Sequence, residues 1–178
     1  MNQNTSKFKS IEPAMITVNP FTLMDKEWML ITAGNGDSHK SYNTMTAAWG
    51  GLGTMWHKPV VFCFVRPTRF TYQFMEANEH FTLSFFNDIY RNALNICGTE
   101  SGRDGDKVKK AGLTPFVLEW HPDTVAFQEA RMVMVCKKLY FQDLDTQNFI
   151  DPIIEKNYPQ KDYHRMYIGE VIASFIKE

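Results

Sequence analysis

Basic and hydroxyl side chains cluster where an apolar segment gives way to a predicted helix. Arg66 and Arg69 stand with Thr68 and Thr71 in the segment VRPTRFT. The first N–H groups of a helix have no partner within the helix, and the helix dipole favours an anion beside them. The segment is therefore suited to hold a phosphate group. A solvated surface loop in which Thr68 is an ordinary N-cap is the alternative.

A second polar segment, SGRDGDK at residues 101–107, places glycines between charged side chains. Gly102 and Gly105 permit backbone conformations that present N–H groups to an anion. Further donors come from Ser101, Arg103 and Lys107. The spacing is not that of a Walker loop. The segment is predicted either to form a second wall for an anion or to be a charged loop before a short helix.

A third segment, NTMTAAW at residues 43–49, has the composition of a strand with one small-residue face. Alternate residues of a strand share a face. The two faces would be Asn43, Met45, Ala47 and Trp49 on one side and Thr44, Thr46 and Ala48 on the other. Small residues let a flat ring lie against the backbone, where N–H and C=O groups can contact its polar edge. A core strand with Met45 and Trp49 packed inward is the alternative.

His164 precedes the last apolar segment of the chain. Its ordinary pKa of about 6.5 permits proton transfer, although a structural histidine fits the same position. The other histidines are scattered, and the three cysteines, Cys63, Cys97 and Cys136, lack the spacing of a zinc site. We therefore expect no metal site, and unpaired cysteines favour a reducing, cytoplasmic location.

Size and composition indicate one β-rich domain. The chain has 178 residues, of which 44% are hydrophobic and 14% aromatic, and its formal net charge is −1. That charge gives no support for a nucleic-acid partner. No apolar run reaches the roughly 20 residues that cross a bilayer, so no membrane association is expected. Residues 1–10 are polar and lack the apolar core of a secretory signal, which predicts a flexible N-terminal end.

The hydrophobic pattern predicts a mainly β fold with inserted helices. Strands are expected at residues 28–33, 42–50, 60–66, 81–86, 124–129, 131–142 and 165–176. Helices are expected at residues 68–78, 88–98 and 107–111, with one or two helical turns near 151–157. The helices do not alternate regularly with the strands. An antiparallel barrel or sandwich is therefore favoured over a doubly wound parallel sheet.

Taken in order, these segments resemble the flavin reductase-like family of FMN-binding split barrels, and specifically its flavoredoxin-like branch. The motifs are NTMTAAW, VRPTRFT, FTLSFF, CGTESGRDGDK and HRMYIGEV, spread over residues 20–171. The resemblance implies a single Greek-key split-barrel domain over residues 1–178. It also implies a homodimer with FMN near the subunit interface. NADH or NADPH would be the electron donor, and a small molecule or small redox protein the acceptor.

The resemblance also implies roles for individual residues. The flavin ring would lie along Asn43, Met45, Thr46, Ala47, Ala48 and Trp49, and the phosphate would be held by Arg66, Thr68, Arg69 and Thr71. Ser84 and Phe85 would border the ring or ribityl chain, and Ser101, Gly102, Arg103 and Lys107 would close over the phosphate. His164 would lie near the flavin or nicotinamide as the candidate catalytic residue. Ala48 and Phe70 depart from the common pattern, which has Ser and Tyr there.

Two other functions stay open at this level. The same barrel could hold FMN or haem as an electron carrier or sensor without turnover. A β-rich interaction domain with no cofactor is the third possibility. The flavoprotein oxidoreductase is the hypothesis that makes use of all the segments above, because the flavin would bring the redox chemistry and the protein would supply placement and electrostatics.

Overall fold

The computed structural model describes residues 8–36 and 38–177. The strands are β1 (Phe8–Ser10), β2 (Met29–Gly34), β3 (Tyr42–Ala47), β4 (Gly50–Met55), β5 (Lys58–Val65), β6 (His80–Phe85), β7 (Pro115–Leu118), β8 (His121–Phe127), β9 (Met132–Asp143) and β10 (Arg165–Lys177). The helices are α1 (Pro20–Thr22), which continues as a π-helical turn over Leu23–Glu27, α2 (Phe70–Ala77), α3 (Arg91–Thr99) and α4 (Lys107–Lys110). Short 3-10 turns occupy Pro13–Met15, Asp88–Tyr90, Thr146–Asn148 and Pro152–Asn157.

One antiparallel sheet dominates the molecule. Its strand order is β3-β2-β6-β9-β10-β5-β4, and β1 pairs with β10 beside this path. Strands β7 and β8 form a separate two-stranded sheet. The regions around β3 and β5 approach each other without pairing. The sheet therefore curls into a Greek-key barrel that is split between these two strands, which confirms the predicted mainly β fold class.

The central strands are buried on both faces. Ile31, Leu83 and Met134 belong to the apolar cluster inside the barrel. Leu30 and Val133 point the other way, into a second cluster that also includes residues of α3 and of the β7–β8 sheet. Alternate residues of one strand thus reach different layers, as the period of two requires. Burial on both sides explains why these segments are so strongly apolar.

Several predicted elements are confirmed and three strands were missed. The hairpin of β2 and β3, the strands β5, β6, β8, β9 and β10, and the helical turn at Pro152–Asn157 lie where the pattern placed them. Strand β4 was not predicted because Gly50, Gly51 and Gly53 give it poor strand propensity. Strands β1 and β7 were missed because three or four residues are too short for a periodic signal.

Two helix starts differ from the prediction. Asp88 begins a 3-10 turn in which Ile89 is 81% exposed, and helix α3 begins only at Arg91. The inward residues of α3 are therefore Ala93, Leu94 and Cys97. Helix α2 has Arg69, not Thr68, at its N-cap position. In both places a turn precedes the helix and displaces the expected register.

The predicted flexible N-terminal end is wrong for its last three residues. Phe8–Ser10 form strand β1, which pairs with Lys177, Ile176 and Phe175 of β10. Residues 1–7 lie outside the described part of the chain. Within the described part, no helix combines the length and the apolar composition that crossing a membrane requires.

Candidate functional site

Two adjoining clefts lie at the split of the barrel and bring most of the predicted site residues together. The first, the strand cleft, has a volume of about 150 Å³ and is lined by Met45, Thr46, Ala47, Ala48, Trp49, Phe64, Arg66, Arg69 and His164. The second, the helix cleft, has a volume of about 120 Å³ and is lined by Met45, Thr68, Arg69, Phe70, Thr71, Thr99, Glu100, Ser101, Arg103 and Lys107. The clefts share Met45 and Arg69, so they meet.

The strand cleft follows from the end of β3. Strand β3 lies at one end of the sheet, so one edge of its backbone pairs with no other strand. The last ladder pair joins Ala47 to Met29, and Ala48 and Trp49 follow it before β4 begins. Backbone groups along this edge can therefore contact the polar rim of a planar ligand. The predicted placement of a ring along this strand fits the geometry.

Aromatic side chains form the opposite side of the strand cleft. The Trp49 and His164 ring centroids are 4.9 Å apart, and Phe64 meets His164 edge-on at 6.4 Å. Arg165 pairs with Val65 across the β5–β10 ladder. The residues just beyond that pair, Arg66 and His164, are therefore brought to the same end of the barrel. Phe64 had not been singled out from the sequence.

The helix cleft contains the start of α2. The backbone N–H of Arg69 donates to the carbonyl of Arg66, which closes a turn with Pro67 at its second position. Arg69 is the N-cap in an extended conformation, and no side chain caps the helix. The first N–H groups of α2, around Phe70 and Thr71, therefore face the cleft without a side-chain acceptor. This is the arrangement that binds an anion.

Asn43 and Thr71 form the buried back wall of this cleft. The Asn43 side-chain amide donates to the Thr71 hydroxyl oxygen at 2.6 Å, and Thr71 is 1% exposed. Over the described residues the Thr71 hydroxyl hydrogen has no acceptor, so it is available to a ligand. Gly102 packs against the same amide, since a Cβ there would lie 2.1 Å from Asn43 Oδ1. Asn43 and Gly102 thus shape the site from behind.

The loop at residues 101–107 closes over the start of α2, as the second-wall hypothesis requires. The Arg103 guanidinium lies 4.8 Å from the Phe70 ring centroid, and it donates to the Thr68 carbonyl at 3.4 Å. The Ser101 hydroxyl accepts from the Arg103 backbone N–H. Gly102 allows this close packing, because a Cβ there would lie 3.1 Å from the Phe70 ring.

Lys107 and Arg69 donate hydrogen bonds to backbone carbonyls at the C-terminal end of α3. Lys107 Nζ donates to the carbonyls of Cys97 and Glu100, each at 3.0 Å, and Arg69 donates to the carbonyl of Gly98 at 2.7 Å. These cations supply partners to carbonyl groups that have none within α3, and their charge interacts favourably with the negative end of the helix dipole. Burial, reinforced by the charge of Arg69, lowers the pKa of Lys107 to about 8.

Arg66 lies at the strand cleft and not in the helix cleft. Its guanidinium donates to Asp162 Oδ1 and to the Asn157 carbonyl, both at 2.8 Å. Thr68 donates to the other oxygen of Asp162 at 3.2 Å. Burial would raise the pKa of Asp162, but the hydrogen bond and charge of Arg66 outweigh it and the pKa is lowered. Arg66 therefore holds the connection between β9 and β10, and its predicted contact with a phosphate stays a prediction.

His164 is buried and uncharged at neutral pH. It is 8% exposed, and its Nδ1 lies 2.9 Å from the Tyr158 hydroxyl. Burial lowers the pKa of His164 to about 4, and the positive charge of Arg66 acts in the same direction. The imidazole can therefore offer a neutral hydrogen bond to a ligand. Tyr158 and Asp162 were missed from the sequence, although the aromatic and acidic residues just before His164 were a usable signal.

The structure does not bring Ser84 and Phe85 to the site. Both are 0% exposed, in strand β6, and line neither cleft. Phe85 belongs to the barrel interior, and Ser84 pairs with Leu30 of β2 and Val133 of β9. Their predicted contact with a ring is corrected to a place in the core, because the central strand β6 is covered on both faces.

Metal ligands are not grouped in the described residues. Across residues 8–36 and 38–177, no three His, Cys, Asp or Glu side chains come together as a cation site would require. The two clefts offer an unpaired strand edge, aromatic rings and a helix start with free N–H groups, which are features that suit a planar group with an attached phosphate. A split barrel that carries such a site defines a class of cofactor-binding proteins.

Comparison with known proteins identifies the family. The flavin reductase like domain matches residues 21–178. The chain therefore belongs to the flavin reductase-like domain family, as the resemblance implied. No curated protein sequence matches the chain.

Solved structures share the fold at low identity. An FMN-binding domain of a flavin reductases-like enzyme from Shewanella baltica is 18% identical, with a TM-score of 0.67 over 96% of this chain and 77% of that one. The flavoredoxin of Desulfovibrio vulgaris is 24% identical, with a TM-score of 0.65 over 85% of this chain and 69% of that one. An NADH:FAD oxidoreductase of Streptomyces globisporus is 15% identical, with a TM-score of 0.61 over 83% of this chain and 73% of that one.

Proposed function

We propose that the chain is an FMN-dependent oxidoreductase that takes electrons from NADH or NADPH and passes them to a small molecule or a small redox protein. The observation that supports this most directly is the pair of clefts. A cleft walled by a free strand edge and aromatic rings meets an uncapped helix start at Met45 and Arg69. A ligand with a flat polar ring at one end and a phosphate at the other matches both.

The helix cleft fits a phosphate dianion. The start of α2 offers backbone N–H groups, Thr71 offers a hydroxyl hydrogen, and Arg103 and Ser101 close the loop over them. Arg69 and Lys107 add positive charge nearby while they satisfy the end of α3. A charge-assisted hydrogen bond contributes about 1.5–3 kcal/mol, so a few of these contacts are enough to select a phosphorylated ligand.

The strand cleft fits a tricyclic ring. The end of β3 at Thr46 and Ala47 provides an unpaired strand edge for hydrogen bonds, and Ala48 continues the same wall. Trp49, Phe64 and His164 provide apolar and aromatic surface. When bound, FMN supplies the hydride and electron transfer itself. The chain binds and orients the ring, limits the access of water, and directs the uncharged His164 toward it.

The comparisons support the electron donor and acceptor without assigning them. The related structures include a flavoredoxin and an NADH:FAD oxidoreductase, whose names indicate electron transfer and the use of a nicotinamide. We carry both roles to this chain as part of the proposal. The three cysteines are free and buried, which fits the reducing cytoplasm expected from the sequence.

The proposal includes a homodimer. Strand β4 is the other terminal strand of the sheet order, and Met55 and Trp56 at its end are 36% and 51% exposed. Trp49, at the mouth of the strand cleft, is 45% exposed. Exposed aromatic and methionine side chains are typical of interface cores. Trp49 precedes the start of β4, and Met55 and Trp56 lie at its other end, so a second copy lying along β4 would cover these residues and border the strand cleft.

Cofactor binding is tested first, and turnover is tested second. The purified protein is titrated with FMN and with riboflavin, and its visible spectrum is then followed after anaerobic addition of NADH or NADPH. We expect FMN to bind more tightly than riboflavin and the bound flavin to be bleached by at least one donor. A protein that binds FMN but stays oxidised with both donors would be an electron carrier, and one that binds no flavin would contradict the whole proposal.

A further inference from the structure

The connection between β9 and β10 packs a group of aromatic rings directly behind His164. Tyr158 is 4% exposed and lies against Phe149, Tyr163 and His164, with ring centroids 6.0, 4.9 and 5.5 Å away. The Arg66 guanidinium is 5.0 Å from the Tyr158 ring centroid. The phenol is therefore held in place on several sides, and its hydroxyl reaches His164 Nδ1 at 2.9 Å.

The direction of this hydrogen bond follows from the hydroxyl's lack of other partners. Within the described residues the Tyr158 hydroxyl bonds only to His164. If the imidazole donated, the phenol hydrogen would be buried without an acceptor, which is unfavourable by about 1–3 kcal/mol. If the phenol donates, both atoms are satisfied and the ring proton of His164 moves to Nε2.

The other ring nitrogen of His164 faces open space. His164 lines the strand cleft, and no described residue bonds to its Nε2. In the described part of the chain, Ser84 Oγ is the one fully enclosed side-chain polar atom without a partner, so Nε2 is not sealed in the core. Trp49 and Phe64 contact the imidazole ring and restrict its rotation. The Nε2–H group therefore borders the cleft.

We propose that Tyr158 is a positioning residue that holds His164 as the neutral Nε2–H tautomer, so that the imidazole presents a hydrogen-bond donor to an acceptor atom of the ligand in the strand cleft. The identity of that ligand rests on the proposed function. Under it, the acceptor atom is a carbonyl oxygen or ring nitrogen of the flavin or of a molecule stacked on the flavin. The role of Tyr158 is to set the tautomer and orientation of another side chain, as partners of functional histidines do.

The surroundings of His164 keep the donor uncharged. Arg66 and Arg69 disfavour a second positive charge, and Asp162 favours one. Burial is the largest contribution, and together with the two arginines it lowers the pKa of His164 to about 4. The imidazole thus carries a single ring proton throughout the neutral range, and the Tyr158 hydroxyl decides which nitrogen holds it.

The tautomer can be read without any cofactor. Long-range proton–nitrogen NMR spectra of the flavin-free protein, labelled with ¹⁵N-histidine, distinguish a protonated from an unprotonated ring nitrogen. The His164→Gln variant identifies the His164 signals by their loss. We expect Nε2–H in the wild type and a mixture of tautomers in Tyr158→Phe. Tyr163→Phe is the matched control, because it removes a neighbouring phenol hydroxyl that bonds to Glu155 and not to His164.

The functional consequence is measured separately. With FMN bound, Tyr158→Phe should lower kcat/KM for flavin reduction about ten-fold, the effect of one hydrogen bond, while Tyr163→Phe leaves it unchanged. A wild-type Nδ1–H tautomer, or an unchanged tautomer in Tyr158→Phe, overturns the proposal. A shifted tautomer with unchanged kcat/KM overturns the positioning role. Because the tautomer is read in the flavin-free protein, failure to bind FMN would contradict the proposed function without altering that result.

Discussion

Thr71 is the buried side chain that the proposed function assigns to the phosphate of the ligand. The Asn43 amide donates to the Thr71 oxygen at 2.6 Å, and among the described residues the hydroxyl hydrogen has no acceptor. A hydroxyl group that accepts one hydrogen bond still has its own hydrogen to donate to a second partner. Under the proposed function, Thr71 would therefore contact the phosphate of the ligand and not its ring.

Replacing Thr71 by Val should weaken FMN binding about ten-fold and leave riboflavin binding nearly unchanged, because riboflavin has no phosphate. Isothermal titration with both ligands measures the two affinities. Thr68→Val is the control, since its hydroxyl already donates to Asp162. Equal losses of FMN and riboflavin affinity in Thr71→Val would show that Thr71 does not contact the phosphate.

Histidine 164 should make the folded protein sensitive to acid. Its pKa is lowered from the ordinary value of 6.5 to about 4 on folding, so the unfolded chain binds its proton first as the pH falls. The contribution of neutral His164 to stability is present above about pH 6.5 and is lost between about pH 6.5 and 4. Because His164 borders an open cleft, we expect this loss to be about 1–3 kcal/mol.

Urea unfolding of the flavin-free protein at several pH values measures this loss. The slope of the free energy of unfolding between about pH 6.5 and 4 should be smaller in His164→Gln than in the wild type. His39→Gln, which replaces an exposed histidine outside both clefts, should keep the wild-type slope. Identical slopes in the wild type and His164→Gln would mean that the imidazole is not protected from protonation.

At the scale of elements, two helix ends with opposite electrical polarity meet at the helix cleft. The start of α2 has free N–H groups, whereas the carbonyls at the end of α3 are occupied by Arg69 and Lys107. The cations therefore remove a negative helix end that would otherwise repel an anion. The sequence predicted both helices, although each begins two or three residues later than expected, and the meeting of their ends depends on the packing of α3 against β3.

Replacing Lys107 by Met should lower the free energy of unfolding by about 2 kcal/mol, because the carbonyls of Cys97 and Glu100 would lose a buried donor. Lys110→Met is the matched control. Lys110 is an exposed partner of Glu100 in an ion pair, so its loss should lower the free energy of unfolding by less than about 1 kcal/mol. Chemical denaturation of both variants gives the comparison. Equal effects would show that the carbonyl contacts of Lys107 are not important for stability.

At the scale of the whole molecule, the strand cleft and the helix cleft exist because β3 and β5 do not pair to close the barrel. Strands β3 and β5 approach without pairing, and both clefts open beside that split. A closed barrel would bury the edge of β3 and leave no strand edge for a ligand. Strand β4 pairs with β5 and ends the sheet on this side, so the proposed dimer face would run along β4, with Trp49 just before its start and Met55 at its end.

The dimer is tested by its dissociation. Sedimentation of the wild type at micromolar concentration should show a dimer, and Trp56→Ser should raise the dissociation constant about 30-fold or more, as the loss of an interface hot spot does. Trp120→Ser is the control, because Trp120 is 64% exposed but lies in the separate β7–β8 hairpin. A wild-type monomer, or equal effects of the two substitutions, would contradict the proposed face.

The amino-acid sequence by itself determined the strands with strong apolar patterning, the family, and the hydroxyl, glycine and basic residues around α2. These features are local, because they depend on periodicity and on residues within a few positions of each other. Only the tertiary structure paired Arg66 with Asp162 and Arg69 with the end of α3, placed Ser84 and Phe85 in the core, and joined Tyr158 to His164. Such pairings arise from strand order and loop packing, which bring distant residues together and which no local pattern encodes.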